Sequence, residues 1–335
     1  MRLSILDQAP ISSLQTPKDA LQESMKLAQV GEKYGYTRYW IAEHHDLSGL
    51  ACSAPEVMLS YIGANTTTIR IGCGAVLLPH YKPYKVAEVY NMLATLFPNR
   101  IDVGIGRAPG GSAEATNALS ENFLQQVWRM PTSVKELLHF LENDFPEDHP
   151  YAKVKAEPIP EISPTPWLLG TSKKSAILAG ENGMSYNFGL FMSDNDGVQI
   201  IQQYKDAFVP RQERHKPNTA LTVSIICAET TEKAKEIALS TQIWSIQKSR
   251  GEGNEGVPSI EDAKKYSLTD QETQALEKMN KKMLIGNPKE VSEKLHELHG
   301  NYKVDEIMIV TITHSPQDRS NSYKLIATEL LGYSG

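Results

Sequence analysis

The 335-residue chain is 40% hydrophobic and 22% charged, ordinary proportions for a soluble globular protein. Its 34 basic and 40 acidic residues give a net charge of −6, which argues against a nucleic-acid or anionic-membrane binder with a basic face. No apolar run approaches the roughly 18 residues of a membrane span, and the opening MRLSILDQAPISS has too short an apolar stretch for a secretory signal. Cys52, Cys73 and Cys227 show no C-x-x-C spacing and suit a reducing cytosol better than a disulfide framework.

Short β-branched segments alternate with longer ones of helical spacing. RLSILD (2–7) predicts a first strand. The segment 17–34 predicts a helix, with Ala20, Leu21, Ser24, Leu27, Ala28 and Gly31 on one face, Pro17 in the first turn and Gly35 at the stop. RYWIA (38–42) predicts a second strand, followed by a helix capped by Ser53, with Pro55 near its first turn, running to about Thr67. IRIGCGAVLLP (69–79) predicts the third strand, a helix from Pro83 to Leu96 follows, and RIDVGIG (100–106) is the fourth strand.

The period then breaks. Residues 107–165 hold one helix, about 120–143, interrupted by Pro131, and then a Pro-rich polar stretch. Strands resume at 166–170, 184–189, 220–228 and 305–311, with helices at 172–182, 194–209, 231–249, 288–299 and 317–332. The stretch 250–285 looks irregular. Eight strands, each followed by a helix, favour a (β/α)8 TIM barrel over an open doubly wound sheet. The expectation is a single domain over 1–335, with insertions at about 112–165 and 246–285.

Barrel enzymes carry their chemistry just beyond the C-terminal ends of the strands. Glu43, His44 and His45 stand there after the second strand. Gly74 and Ala75, in or after the third, suggest a bulge or a close backbone approach, where a flat ligand or a bulky neighbour could lie. Arg107 follows the fourth strand, and its planar fork suits a phosphate, although a surface ion pair explains it equally well. After the fifth come Gly170, Thr171, Ser172 and Ser175. A helix N-terminus there favours an anion, but taken alone the segment reads first as N-capping by Thr171 or Ser172. Arg107 and this helix start together point to a phosphate-bearing ligand.

Adjacent side chains on an extended segment face opposite ways, so His44 and His45 should not both enter one site. Neither has zinc-type ligand spacing, and no G-x-S-x-G elbow occurs. Acid–base duty for one of them competes with a structural role for both.

Residues 39–111 resemble the N-terminal half of the bacterial-luciferase-like flavin monooxygenases. WLLGTSKKSAILAGENGMSYNF and DEIMIVTITHSPQDRSNSYKLIA resemble its later part. The resemblance is weakest over 112–160 and 246–285. It implies a barrel binding FMN as a reduced cosubstrate. A separate NAD(P)H-dependent flavin reductase would deliver it, and molecular oxygen would oxidise a small organic substrate. It also implies a cis peptide at Gly74–Ala75 under the ring, phosphate contacts at Arg107, Thr171, Ser172 and Ser175 with backbone near Pro109, His44 as the catalytic histidine, and a homodimer.

Gly106 stands where light-emitting subunits carry a reactive cysteine, and Thr171 replaces a phosphate-contacting carboxylate, so the resemblance does not extend to light emission. A flavin-binding protein without turnover and a deazaflavin-dependent oxidoreductase are the alternatives. Substrate specificity is expected in the two insertions. Val86, Val89, Tyr90 and Leu93 of the helix 83–96 could serve a dimer or the core.

Overall fold

The computed structural model describes residues 1–332 apart from 212 and 214. In chain order it runs β1 (Arg2–Asp7), α1 (Pro17–Lys33), β2 (Arg38–Ile41), α2 (Pro55–Ala64), β3 (Arg70–Leu77), α3 (Pro83–Leu96), β4 (Ile101–Gly106), α4 (Ala113–Leu119) and α5 (Phe123–Glu142). It continues with β5 (Thr165–Gly170), α6 (Lys173–Glu181), β6 (Ser185–Gly189), α7 (Gly197–Asp206), β7 (Thr219–Cys227), α8 (Thr231–Ser249), α9 (Ile260–Lys265) and α10 (Asp270–Lys282). The chain ends with β8 (Met283–Gly286), α11 (Pro288–Tyr302), β9 (Glu306–Val310) and α12 (Pro316–Leu331).

All strand pairings are parallel, and β1 to β7 with β9 close into an eight-stranded barrel through the β6–β7, β7–β9 and β1–β9 pairs. Both faces of a barrel strand are covered, which is why RLSILD is buried from its second residue onward rather than alternately. The outer layer consists of α1, α2, α3, α5, α6, α7, α11 and α12. Local chemistry sets the helix starts. Thr16 and Asp19 form a reciprocal capping box at α1, and Asn287 and Glu290 do the same at α11.

Five expectations need correction. Residues 107–165 hold two helices, α4 and α5, rather than one. Ser53 does not cap α2, whose N-cap is Ala54 without a side-chain bond, and the helix ends at Ala64. Pro131 lies inside α5 without ending it, because Met130, Ser133, Val134 and Leu137 bury that stretch against the barrel and packing outweighs the lost backbone bond. The stretch 250–285 is not irregular. It holds α9, α10 and a ninth strand, β8, which pairs with the upper half of β7, from Ser224 to Cys227. Finally, α8 belongs with this insertion, packing against α9, α10 and β8, while α11 takes the outer-layer place between α7 and α12.

The barrel interior is polar at one end. The Arg38 Nη1 donates to Asp102 Oδ2 at 2.6 Å, while its Nε and Nη2 donate to the two Glu306 oxygens at 2.7 and 3.1 Å. These groups stand on β2, β4 and β9, no two of which are neighbours, so the bonds cross the interior. Asp102 also accepts from Arg70 and from Trp40 Nε1, and Ser4 donates to Glu306. The carboxylates beside Arg38 hold its proton more tightly than usual, and Arg38 and Arg70 hold Asp102 below the ordinary carboxylate range.

Above this layer Trp40 and Trp167 meet edge to face at 5.2 Å. Gly72, in register with Trp40, makes the room. A Cβ there would lie 2.8 Å from both Asp102 and the indole nitrogen.

Replacing Arg38 with methionine would leave two buried carboxylates without their shared cation. The expected cost is about 3–5 kcal/mol of stability, read by urea denaturation.

Candidate active site

The barrel brings the ends of β2, β3, β4 and β5 side by side, and the sequence-predicted residues follow one another along that arc. His44 comes after β2, Gly74 and Ala75 lie in β3, Arg107 follows β4, and Gly170, Thr171 and Ser172 end β5 and open α6.

The two histidines differ as expected, and Glu43 sides with His45. Glu43 is buried, and its Oε1 accepts from His45 Nε2 at 2.8 Å and from the Tyr81 hydroxyl at 2.6 Å. Its Oε2 accepts from the backbone of Leu77 at 3.1 Å. One carboxylate therefore ties the loop after β2 to the end of β3, and His45 is part of that tie. His44 takes no part in it through its side chain. Its backbone N–H donates to Cys52 at 3.0 Å, while its Nδ1 is buried without a hydrogen-bond partner. Burial, and then the nearby Lys248 and His45, lower the His44 pKa to about 4, so the imidazole is neutral at pH 7.

The Gly74–Ala75 peptide is cis, and the β3–β4 register shifts between Cys73 and Val76. The irregularity read from the glycines is therefore real. Gly74 packs on Leu6 and Trp40, so the barrel filling forms the floor beneath this stretch. Arg107 is exposed and has no ion pair among the described residues.

The loop beyond Arg107 is held twice. His80 Nε2 donates to the Pro109 carbonyl at 2.9 Å, and the His45 N–H donates to the Gly110 carbonyl at 2.9 Å. Gly110 sits at φ +74°, and a Cβ on Gly111 would fall 2.0 Å from the His45 carbonyl, so only glycine allows this close approach. His80 also stacks on Phe123 at 4.8 Å, which ties α5 to the same loop. An open cavity of about 560 Å³ lies between this loop and the starts of α4 and α5, with Pro109, Thr116 and Phe123 in its lining.

At α6 the capping reading holds. Ser172 and Ser175 form a reciprocal box, and the Ser175 hydroxyl also meets Tyr186 at 3.1 Å. Gly170 is needed here for packing, since a Cβ would lie 2.3 Å from the Ser175 oxygen. The box leaves the first-turn N–H groups of Lys173 and Lys174 to an outside acceptor.

Sequence reasoning missed Tyr81, His80 and Phe123. The first two follow β3 directly, so the rule applied to the other strand ends would have found them; Phe123 left no such signal.

Fold and strand-end geometry define a TIM-barrel enzyme framework with a donor-rich mouth. The family model described as luciferase-like monooxygenase matches residues 1–302, and the chain belongs to that family. It is 36% identical over 337 residues to the N-acetyl-S-alkylcysteine monooxygenase of Bacillus subtilis (strain 168), covering 99% of this chain and 98% of the relative. The crystal structure of apo-MsnO8 superposes with a TM-score of 0.89 at 30% identity, over 100% of this chain and 98% of that one. A more distant fold neighbour is the oxygenating constituent of 3,6-diketocamphane monooxygenase from Pseudomonas putida in complex with FMN. Its TM-score is 0.71 at 18% identity, covering 98% of this chain and 97% of that one.

The lowered His44 pKa carries a stability consequence. The unfolded imidazole takes a proton near pH 6.5 and the folded one near 4, so stability present above pH 6.5 is lost as pH falls towards 4. His44→Asn should lose less over that window, measured by chemical denaturation at each pH.

Proposed function

We propose that the chain is an FMN-dependent oxidoreductase, a monooxygenase that receives reduced FMN from a separate NAD(P)H-dependent reductase and uses oxygen on a small organic substrate. The observation that carries this reading is the arc itself. A donor set at Arg107, Thr171 and the first turn of α6 adjoins a stretch without long side chains at Gly74–Ala75, and a neutral imidazole stands on its other side. Family membership and the FMN-containing fold neighbour support it.

The residues fit the cofactor. A phosphate needs donors, and Arg107 and the α6 N–H groups offer only donors. Arg107 would grip the phosphate, with Thr171, Ser172 and Ser175 shaping the helix start and the Pro109 backbone bordering it. Gly74 and Ala75 would lie under the ring. Reduced flavin, when bound, supplies the two electrons that activate oxygen. His44, neutral and unpartnered at Nδ1, accepts or returns a proton at that atom, and its burial keeps bulk water from competing for it. Glu43 acts through its neighbours, holding the loop that aims His44.

A homodimer belongs to the same proposal. Val86, Tyr90 and Leu93 are core residues, so they are not the dimer surface. Val57 and Tyr61 of α2 and Met92 and Leu96 of α3 are exposed large apolar side chains on two helices that pack together. Such a patch suits a self-complementary contact.

Arg107→Ala should weaken FMN binding about 10–100-fold while leaving riboflavin affinity nearly unchanged, as read by flavin fluorescence. Equal losses for both flavins would refute the phosphate role. His44→Ala should lower turnover about 10²–10⁴-fold with FMN affinity retained. Replacing both Met92 and Leu96 with glutamate should convert a dimer to a monomer in light scattering.

A further inference from the structure

The second insertion places a basic side chain beside the segment that carries His44. In the last turn of α8, the Lys248 ammonium lies 3.7 Å from the centre of the Trp244 ring. Trp244 is buried, and its edge packs so closely on Gly49 that a Cβ there would fall 2.4 Å from the ring. Its Nε1 donates to the Gly253 carbonyl at 3.1 Å, and Ser48 donates to Asn254 at 3.1 Å. These contacts pin the end of α8 and the loop beyond it onto residues 48–49, four to five positions past His44.

Lys248 has no carboxylate within ion-pair distance among the described residues, whereas neighbouring Arg250 and Lys264 are paired with Glu272 and Glu236. Lys248 is solvent-exposed beyond the indole, and its charge is a cause, after burial, of the lowered His44 pKa.

We infer that Lys248 anchors a carboxylate on the organic substrate, holding it over Trp244 with the remainder of the molecule directed towards His44. This deepens the proposed function and rests on it. The indole face fixes the ammonium in place and supplies apolar contact for the carbon skeleton next to the acid. A compact single cation suits a carboxylate monoanion. A phosphate dianion would call for a fork or several donors, as at Arg107. In a chain of net charge −6, an unpaired cation also draws an organic anion towards it.

The test is a calorimetric titration of the flavin-free protein with hexanoate and phenylacetate and with the matching carboxamides. Each acid should bind about tenfold tighter than its amide in the unaltered protein. Lys248→Met should remove that preference and Lys248→Arg should keep it. Equal binding of acid and amide, a preference that survives in Lys248→Met, or no saturable binding of either acid overturns the proposal. FMN affinity is read separately by fluorescence. Its loss would remove the cofactor reading while the acid–amide comparison still stands.

Discussion

The guanidinium of Arg38 is the interaction on which the barrel depends. It joins carboxylates from two strands that are neighbours neither of each other nor of its own, and it does so inside the barrel, where all three groups are buried. Removing three charges from water is expensive, and the arrangement persists because every nitrogen of the Arg38 guanidinium and every oxygen of the two carboxylates has a hydrogen-bond partner. The cluster also dictates what lies above it. Trp40 bonds to Asp102, Trp167 lies over the Arg38 guanidinium at 4.7 Å, and Gly72 has to be small for Trp40 and Asp102 to fit. Trp40 and Leu6 then support Gly74. A polar layer at one end of the barrel thus sets the height and flatness of the surface at the other.

At the mouth the same economy recurs with a different residue. Glu43 is bonded to His45, Tyr81 and the Leu77 backbone, and His45 and His80 together hold the loop that follows Arg107. The loops after β2, β3 and β4 are one hydrogen-bonded unit. The orphaned Nδ1 of His44 is therefore not a sign of looseness: the surrounding backbone is fixed, and the side chain alone lacks a partner.

Much of this was legible in the sequence, and the exceptions have physical reasons. Strands such as RLSILD and DEIMIVT announce themselves because both faces are buried, and the strand ends then locate the mouth. The four residues of β8 follow a polar helix and are only half-buried, which gives no period to read. Pro131 misled because its cost is local while the packing that outweighs it comes from distant strands. Alternation separated His44 from His45 but left the directions of Glu43 and His45 open, because the Glu43 partner Tyr81 lies 38 positions away and no spacing rule reports such a bond. The close fit of Gly170 against Ser175 has no sequence signal, because it depends on where α6 packs. Lys248 gave no signal at all, since a lysine in a helix's last turn is ordinary.

The split pairing of β7 has a consequence for how the molecule fails. Its first half closes the barrel, while its second half, from Ser224 to Cys227, takes its parallel partner from β8 in the insertion. If the insertion frays or is clipped, the barrel remains closed but the four residues Ser224 to Cys227, with Ile225 and Ile226 at their centre, lose that partner and become an open edge. Such an edge is a template for pairing with another chain. The insertion is thus also a guard against aggregation, and shortening it would cost solubility.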